Sequence, residues 1–493
     1  MRAEPAGAAS GLHAVMERRK HQIVVVGAGS GGFAAARTAR DLGADVALVD
    51  HGPLGGLCIL RGCMPSKTLI ASSDAANDMR EAAELGVHAG SITIDFPHIM
   101  RRKRELIKGF ADYRIEGIET FPLYSGPARF LSPRELAVGG DVVIEAQKFI
   151  IATGSVVAPA SAVHGLQDAG YIDSDGALEL QSLPKSLIVL GGGYIGCELG
   201  QFFARMGVET SIVLRSRHLL SGEDHDIGEA LTEYYRAEGI EVHTQTQILR
   251  VSKNGGKKVV HVMRDGVEGE LEADELLYCL GRVPNFDGLD LDAAGVPCHH
   301  ITGIETDASM RTCNPDFYAV GDVAGKHMLV HVAIYEGEIA ARNAVTGGSE
   351  KAVYDLVKAH TVFSDPQVAI AGATERELQA AGVAYVKGTY DFAEHGKAQC
   401  IGKTKGFVKI MASAEDGKIL GAAILGPHGS DLIHEMIVAM RYGSTVKEFI
   451  AIPHLHPTLA EIWTYPAEEC AAKLQMAGPG ELEPEVAFGG TAG

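Results

Sequence analysis

The chain is short of several things at once. Among its 493 residues stand one tryptophan, eight cysteines, and only 44 basic side chains against 63 acidic ones. The resulting formal net charge of −19 argues against nucleic acid or an anionic membrane surface as partner. No apolar run reaches about 18 residues, so no transmembrane helix is expected. The first twenty residues contain Glu4 and no solid apolar stretch, and read as a flexible arm rather than a secretory leader. Eight cysteines are too few for a disulfide scaffold, and no Cys or Cys/His grouping has zinc spacing, so no metal site is expected. Without an export signal the expected location is cytoplasmic, where a cysteine pair is catalytic more often than structural.

Glycine, at 60 residues, is plentiful, and 46% of the chain is hydrophobic. That composition suits an α/β protein with many tight turns, and the length allows two to four domains. Residues 22–26 (Gln-Ile-Val-Val-Val) have a buried-strand pattern and run into Gly27-Ala28-Gly29-Ser30-Gly31-Gly32 and an Ala-rich helix. This is a GxGxxG turn between strand and helix, where glycines let the backbone approach a pyrophosphate at the helix N-terminus. The next strand, residues 45–50, ends in Asp50, placed to accept from a ribose diol. The pattern repeats at Ser186–Leu190 and Gly191-Gly192-Gly193-Tyr194-Ile195-Gly196, so two dinucleotides are expected. The second copy departs from the first in one respect. Its next strand ends in Leu214, followed by Arg215, Ser216, Arg217 and His218. Arginines there accommodate a 2′-phosphate, so the reading is NADP(H) rather than NAD(H); the alternative is that both are simply solvated.

Between the two copies lies Gly55-Gly56-Leu57-Cys58-Ile59-Leu60-Arg61-Gly62-Cys63-Met64-Pro65-Ser66-Lys67. In a regular helix, positions i and i+5 point about 140° apart. Cys58 and Cys63 therefore meet only across an irregular backbone, for which Gly62 supplies freedom. Cys63 would sit near a helix N-terminus, which favours the thiolate. Taken alone, the pair is either a redox-active dithiol or two unrelated buried cysteines.

Residues 97–117 read as a charged helix whose basic cluster is a solvated face rather than an anion site. Strands around 127–151 lead to a tight turn at Gly154; another strand and turn, 274–281, leads into Gly281-Arg282-Val283-Pro284-Asn285; and Phe317–Val320 ends in Gly321-Asp322. From about 352 the pattern becomes α+β, with a helix over 430–442. Near the end stands His454-Leu455-His456-Pro457-Thr458-Leu459-Ala460-Glu461. Pro457 suits a first helical position, which puts His456 at a helix entrance with Glu461 in reach. A histidine held by a glutamate is a general acid–base pair, although such pairs are also common as structural contacts. Residues 477–493 read as a disordered tail.

The ordered set Gly-Gly-Leu-Cys-x4-Cys-Met-Pro-Ser-Lys, Gly-Gly-Gly-Tyr-Ile-Gly-Cys-Glu-Leu-Gly, Gly-Arg-x-Pro-Asn, Ala-Val-Gly-Asp and His-x-His-Pro-Thr-x-x-Glu resembles the class I pyridine nucleotide–disulfide oxidoreductases. It is most similar to the dihydrolipoamide dehydrogenases, with glutathione and mercuric reductases as relatives. The resemblance runs from about residue 20 to 470 and implies two Rossmann-like dinucleotide-binding domains, for FAD and NAD(P), plus a C-terminal α+β dimerisation domain. The implied boundaries are an arm at 1–20, a FAD domain at 21–154 and 282–350, an NAD(P) domain at 155–281, an interface domain at 351–475 and a tail at 476–493. It also implies roles. Gly27, Gly29, Gly32, Asp50, Lys67, Gly154 and Asp322 would hold FAD, with Asp322 on the ribityl chain. Gly191, Gly193, Gly196, Arg215 and Arg217 would hold the nicotinamide nucleotide. Cys63 would be the flavin-proximal thiol and Cys58 the thiol exchanging with substrate, while Glu198 pairs with Lys67 near the flavin. Tyr194 would cover the flavin until nicotinamide displaces it. His456, oriented by Glu461, would reach the dithiol across a homodimer interface.

The implied reaction passes electrons between NAD(P)H, flavin, the Cys58–Cys63 disulfide and a small-molecule or lipoyl disulfide. A glutathione reductase-like NADPH enzyme is the alternative, ahead of a mercuric reductase, a thiol-independent oxidase or transhydrogenase, or a non-catalytic flavin-binding sensor. Three departures stand out. Leu57 and Ile59-Leu60-Arg61 differ from the usual residues around the cysteines, and Arg61 adds a positive charge there. Leu214-Arg215 breaks with the NAD-linked pattern. Cys470 stands alone where mercuric reductases end in a vicinal cysteine pair.

Overall fold

A computed structural model describes residues 16–475. The expected tail at 476–493 and most of the expected arm lie outside them; residues 17–20 of that arm belong to the strand Glu17–Val26. The chain forms two compact units.

The first unit comprises the described residues up to Leu60 with Lys108–Val156 and Arg282–Ala352. Its parallel sheet runs Leu123–Ser125, Val46–Asp50, Glu17–Val26, Val142–Ile151, with Phe317–Ala319 also paired to Val142–Ile151. Ile23–Val26 are buried on both faces, as a central parallel strand requires. Val142–Ile151 continues into an antiparallel meander with Glu135–Val138 and Ala128–Ser132. Phe130, Phe149 and Phe317 pack beneath it, the last two stacked at 5.1 Å. The helices Ser30–Asp41 and Val330–Thr346 cross closely: a Cβ on Gly337 would lie 2.3 Å from the Gly31 carbonyl oxygen.

The second unit comprises Arg61–Ile107, Val157–Gly281 and the residues from Val353. A parallel sheet orders Glu241–His243, Glu209–Val213, Ser186–Leu190 and Glu275–Tyr278. A three-stranded antiparallel sheet follows over Thr246–Asn254, Lys257–Arg264 and Val267–Ala273. The C-terminal segment adds a five-stranded antiparallel sheet covered by the helices Gly429–Arg441 and Thr464–Lys473. Buried Trp463 anchors that layer, its indole N–H donating to the Leu432 carbonyl at 3.1 Å.

Two local expectations are corrected. The helix Phe96–Ile118 exists, but its basic cluster is not simply solvated. Lys103 is buried, donating to the Leu178 carbonyl and to Glu179, and Arg102 donates to the Thr68 carbonyl. Acceptors on other segments take up charges that the sequence leaves on an outer face. Likewise Pro457 does not open a helix. It follows His456 through a cis peptide bond, and the next helical turn begins at Ala460.

Arg205 holds much of the second unit together. Buried at the end of the helix Tyr194–Arg205, it donates to Asp74 at 2.8 Å, to Asp365 at 2.7 Å and to Glu238. Burial pushes Asp74 up to about 6 despite this partner, so the cluster depends on its cation. Arg205→Met should therefore cost about 3–5 kcal/mol, read as a lowered midpoint in urea unfolding with retained folded-state circular dichroism.

Candidate functional site

The two glycine turns solve the same packing problem. Gly27 and Gly191 have φ of +103° and +114°, and a Cβ at either would collide with a backbone carbonyl oxygen. Gly32 and Gly196 are tighter: a Cβ would stand 1.9 Å from the Gly27 oxygen and 2.1 Å from the Gly191 oxygen. The fold itself requires these four residues to be glycine. It does not require Gly29 or Gly193. Both are N-caps in extended backbone open to any residue, with no atom nearer than 3.9 Å to a Cβ on Gly29 and none within 4 Å at Gly193. Neither helix has a side-chain cap at this end, so its first N–H groups point to open space. Open space above a glycine at an uncapped helix start is the cradle a pyrophosphate fits.

In the first unit Asp50 ends its strand and accepts from the Ala28 N–H at 2.7 Å and the Gly52 N–H at 2.7 Å. A carboxylate has roughly four acceptor positions, which leaves room for a ribose diol. Asp322 accepts from the Ser155 hydroxyl at 2.6 Å, and the Arg282 guanidinium donates to that same hydroxyl at 2.9 Å. Burial raises the Asp322 pKa, partly opposed by Ser155 and Arg282. Gly154 turns with φ +74°, its carbonyl accepting from the Asn285 N–H.

In the second unit the matching strand ends differently. Leu214 is buried with its Cδ1 2.8 Å from where a Cβ on Gly192 would lie, so an apolar side chain covers the turn that Asp50 bonds in the first unit. Arg215 and Arg217 are exposed; Arg217 approaches Glu229 at 3.4 Å, and Arg215 makes no ion pair among the described residues. Tyr194, at the first helical position, donates its hydroxyl to buried Glu223.

The two cysteines fall on either side of the division between the units. Cys58 lies in a five-residue helix, Leu57–Arg61, and Cys63 opens the helix Cys63–Glu81, both partly buried. The backbone between them is thus helical with its break at Gly62, not irregular throughout. Arg61 approaches Asp175 at 3.4 Å, which offsets the charge expected to act on the thiols. One turn into the second helix, Lys67 reaches Glu198 at 2.7 Å and lies over the Phe363 ring at 4.5 Å. The other Glu198 oxygen accepts from the Phe363 N–H at 2.9 Å.

A third residue stands behind the C-terminal pair. His456 is 79% exposed, and its Nδ1 lies 3.0 Å from Oε2 of buried Glu461. Behind that carboxylate, His395 is fully buried with Nε2 3.5 Å from Oε1. The Ala398 N–H donates to His395 Nδ1, which puts the proton of the neutral ring on Nε2, toward Glu461. Burial lowers the His395 pKa, partly opposed by the Glu461 charge. Sequence reading missed His395, Glu223 and His360. A histidine in a polar loop and a Gly-Glu-Asp turn carry no periodicity that marks them.

Residues 21–337 match the family described as pyridine nucleotide-disulphide oxidoreductase, and residues 358–467 match its dimerisation domain. The chain belongs to this family, whose members are FAD-dependent disulfide oxidoreductases. It is similar to the dihydrolipoyl dehydrogenase of Geobacillus stearothermophilus, 34% identical over 91% of this chain and 95% of that one. It is also similar to the mercuric reductase of Bacillus cereus, 32% identical over 90% of this chain and 70% of the relative. Among solved structures it is similar to the HOCl-induced flavoprotein disulfide reductase RclA from Escherichia coli, with a TM-score of 0.80 and 26% identity over 91% of this chain and 99% of that one. No helix among the described residues is long and apolar enough to cross a membrane.

The two kinds of glycine separate experimentally. Gly32→Ala should disrupt the first unit, seen as loss of a cooperative thermal transition. Gly29→Ala should fold with a melting temperature near that of the parent apoprotein, yet purify with less bound flavin by visible absorbance.

Proposed function

We propose that the chain catalyses electron transfer between a pyridine nucleotide and a lipoyl-type dithiol/disulfide, through a Cys58–Cys63 redox pair. The observation that carries this reading is His456: an exposed imidazole fixed through Nδ1 on a buried carboxylate. With Nδ1–H held by Glu461, Nε2 is free to take and return a proton. Within the reading, residues 21–154 and 282–350 form the flavin-binding part, 155–281 the nucleotide-binding part and 351–475 the interface. Gly27, Gly29, Gly32, Asp50, Gly154, Asp322 and Lys67 would hold FAD, which supplies the two-electron link between nicotinamide and thiol when bound.

Written as disulfide reduction, the thiol steps balance as follows. The Cys58 thiolate attacks one substrate sulfur; the substrate S–S bond breaks, and the departing sulfur takes a proton from His456. The Cys63 thiolate then attacks Cys58 Sγ, forming the Cys58–Cys63 bond and releasing the second substrate sulfur as a thiolate, which takes its proton from water. The substrate gains two electrons and the protein pair loses them. His456 acts from the partner subunit in this scheme. Its exposure supports that, as do exposed Val438, Tyr442, Ile452 and Leu455 in the same C-terminal segment.

For the nucleotide, Leu214 with Arg215 and Arg217 favours NADP(H). Leu214 removes the acid that would repel a 2′-phosphate, and Arg215 has no competing carboxylate among the described residues. Steady-state comparison should give a higher kcat/KM for NADPH than NADH, reduced about tenfold or more by Arg215→Glu; a strong NADH preference overturns the assignment. Cys63→Ser should still accept hydride from the nucleotide, seen as flavin bleaching in anaerobic stopped flow, but lose turnover with lipoamide. Intact disulfide turnover in that variant would instead mark a thiol-independent flavoenzyme.

A further inference from the structure

Tyr194, Glu223 and His360 come together from three segments of the second unit. Tyr194 is 40% exposed, yet its hydroxyl does not turn to water. It donates to Oε1 of Glu223 at 2.5 Å, and Glu223 is only 3% exposed. His360, at the start of the strand His360–Val362, approaches the same oxygen through Nε2 at 3.0 Å. Its ring stacks on Tyr194 with centroids 5.6 Å apart and planes 21° apart.

These contacts are not equivalent. The buried carboxylate needs a partner, and His360 supplies one. Nδ1 of His360 also faces an acceptor, the Lys358 carbonyl at 3.2 Å, so the ring that satisfies both carries two protons. Burial opposes that charge, but the hydrogen bond and charge of Glu223 outweigh it, and the His360 pKa is raised. The Glu223–His360 pair is therefore complete without Tyr194. The phenol is a third, exposed member that can leave while the pair stays buried and compensated.

We propose that the Glu223–His360 pair is a latch on Tyr194, made of positioning residues that set how readily a nicotinamide ring displaces it. The inference rests on the reading of Tyr194 as the ring that nicotinamide displaces. Displacement breaks the hydrogen bond to Glu223 and unstacks the ring from His360, and both losses are charged against nucleotide binding. The latch keeps the aromatic cover closed in the absence of nucleotide and weakens nucleotide affinity in proportion.

Equilibrium binding of NADP+ to the oxidised, FAD-loaded protein, measured by calorimetry, tests this without turnover. Tyr194→Phe keeps the ring and removes the latching hydroxyl, and should bind about tenfold more tightly than the parent. Glu223→Leu, which has no acceptor, should tighten binding similarly, and the double variant should gain little beyond either single one, because both remove the same hydrogen bond. Tyr194→Ala removes cover and latch together. If Tyr194→Ala tightens binding while Tyr194→Phe does not, the displaced-ring reading stands and the latch falls. If Tyr194→Ala also leaves affinity unchanged or weaker, the displaced-ring reading falls and the latch with it. Should Glu223→Leu not fold, the comparison of Phe with Ala at position 194 still decides.

Discussion

Much of this molecule depends on one close approach, made twice: a helix starting so near the end of a strand that only hydrogen fits between Gly32 and the Gly27 oxygen, or between Gly196 and the Gly191 oxygen. That approach aims uncapped N–H groups at the open space above Gly29 and Gly193. It also sets the ends of the neighbouring strands, and so the positions of Asp50 and Leu214. A larger residue at the tight positions would move the helix and everything referenced to it. At the open positions it would leave the fold standing and fill only the open space above the turn.

A second pattern runs through the proposed chemistry. Three buried carboxylates each engage a more exposed side chain: Glu198 with Lys67, Glu461 with His456, Glu223 with Tyr194. Each has a second donor or neighbour deeper in the protein: the Phe363 N–H, His395 and His360 respectively. A buried carboxylate left with one partner is costly to strip. A second, fixed partner allows the exposed one to move or exchange a proton without stranding the charge. Within the proposed function, the arrangement suits acid–base and gating roles.

The framework was legible in the sequence, while the pairings across it were not. Strand periodicity and the glycine turns marked both parallel sheets, because burial on two faces and a tight strand–helix turn leave direct traces in residue type. The His456–Glu461 pair was legible through its short spacing, but the local geometry was not, since Pro457 was expected to open a helix that begins three residues later. Lys103, His395, Glu223 and His360 were illegible for a common reason. Their partners lie on other segments, and a buried lysine reads in sequence like any other residue of a charged helix. The basic cluster at 101–104 looked solvated because nothing in its own helix shows the Leu178 carbonyl waiting for it.

The two nucleotide units differ most where one fold must discriminate between two ligands. In the first, the Asp50 carboxylate spans the Ala28 and Gly52 N–H groups and keeps acceptor capacity at the mouth of the turn. A diol can use that capacity, whereas a phosphate at the same place would meet a like charge. In the second, Leu214 turns inward over Gly192 and presents no charge, so the character of the mouth passes to the exposed residues that follow. Those residues are Arg215 and Arg217, in a chain whose acids outnumber its bases by 63 to 44. Against that background two exposed arginines after an apolar strand end form a local exception to the field of the whole protein. On the proposed NADP(H) assignment, that exception would supply the attraction for an additional phosphate, and a single strand-end residue in each unit would divide the two ligands between them.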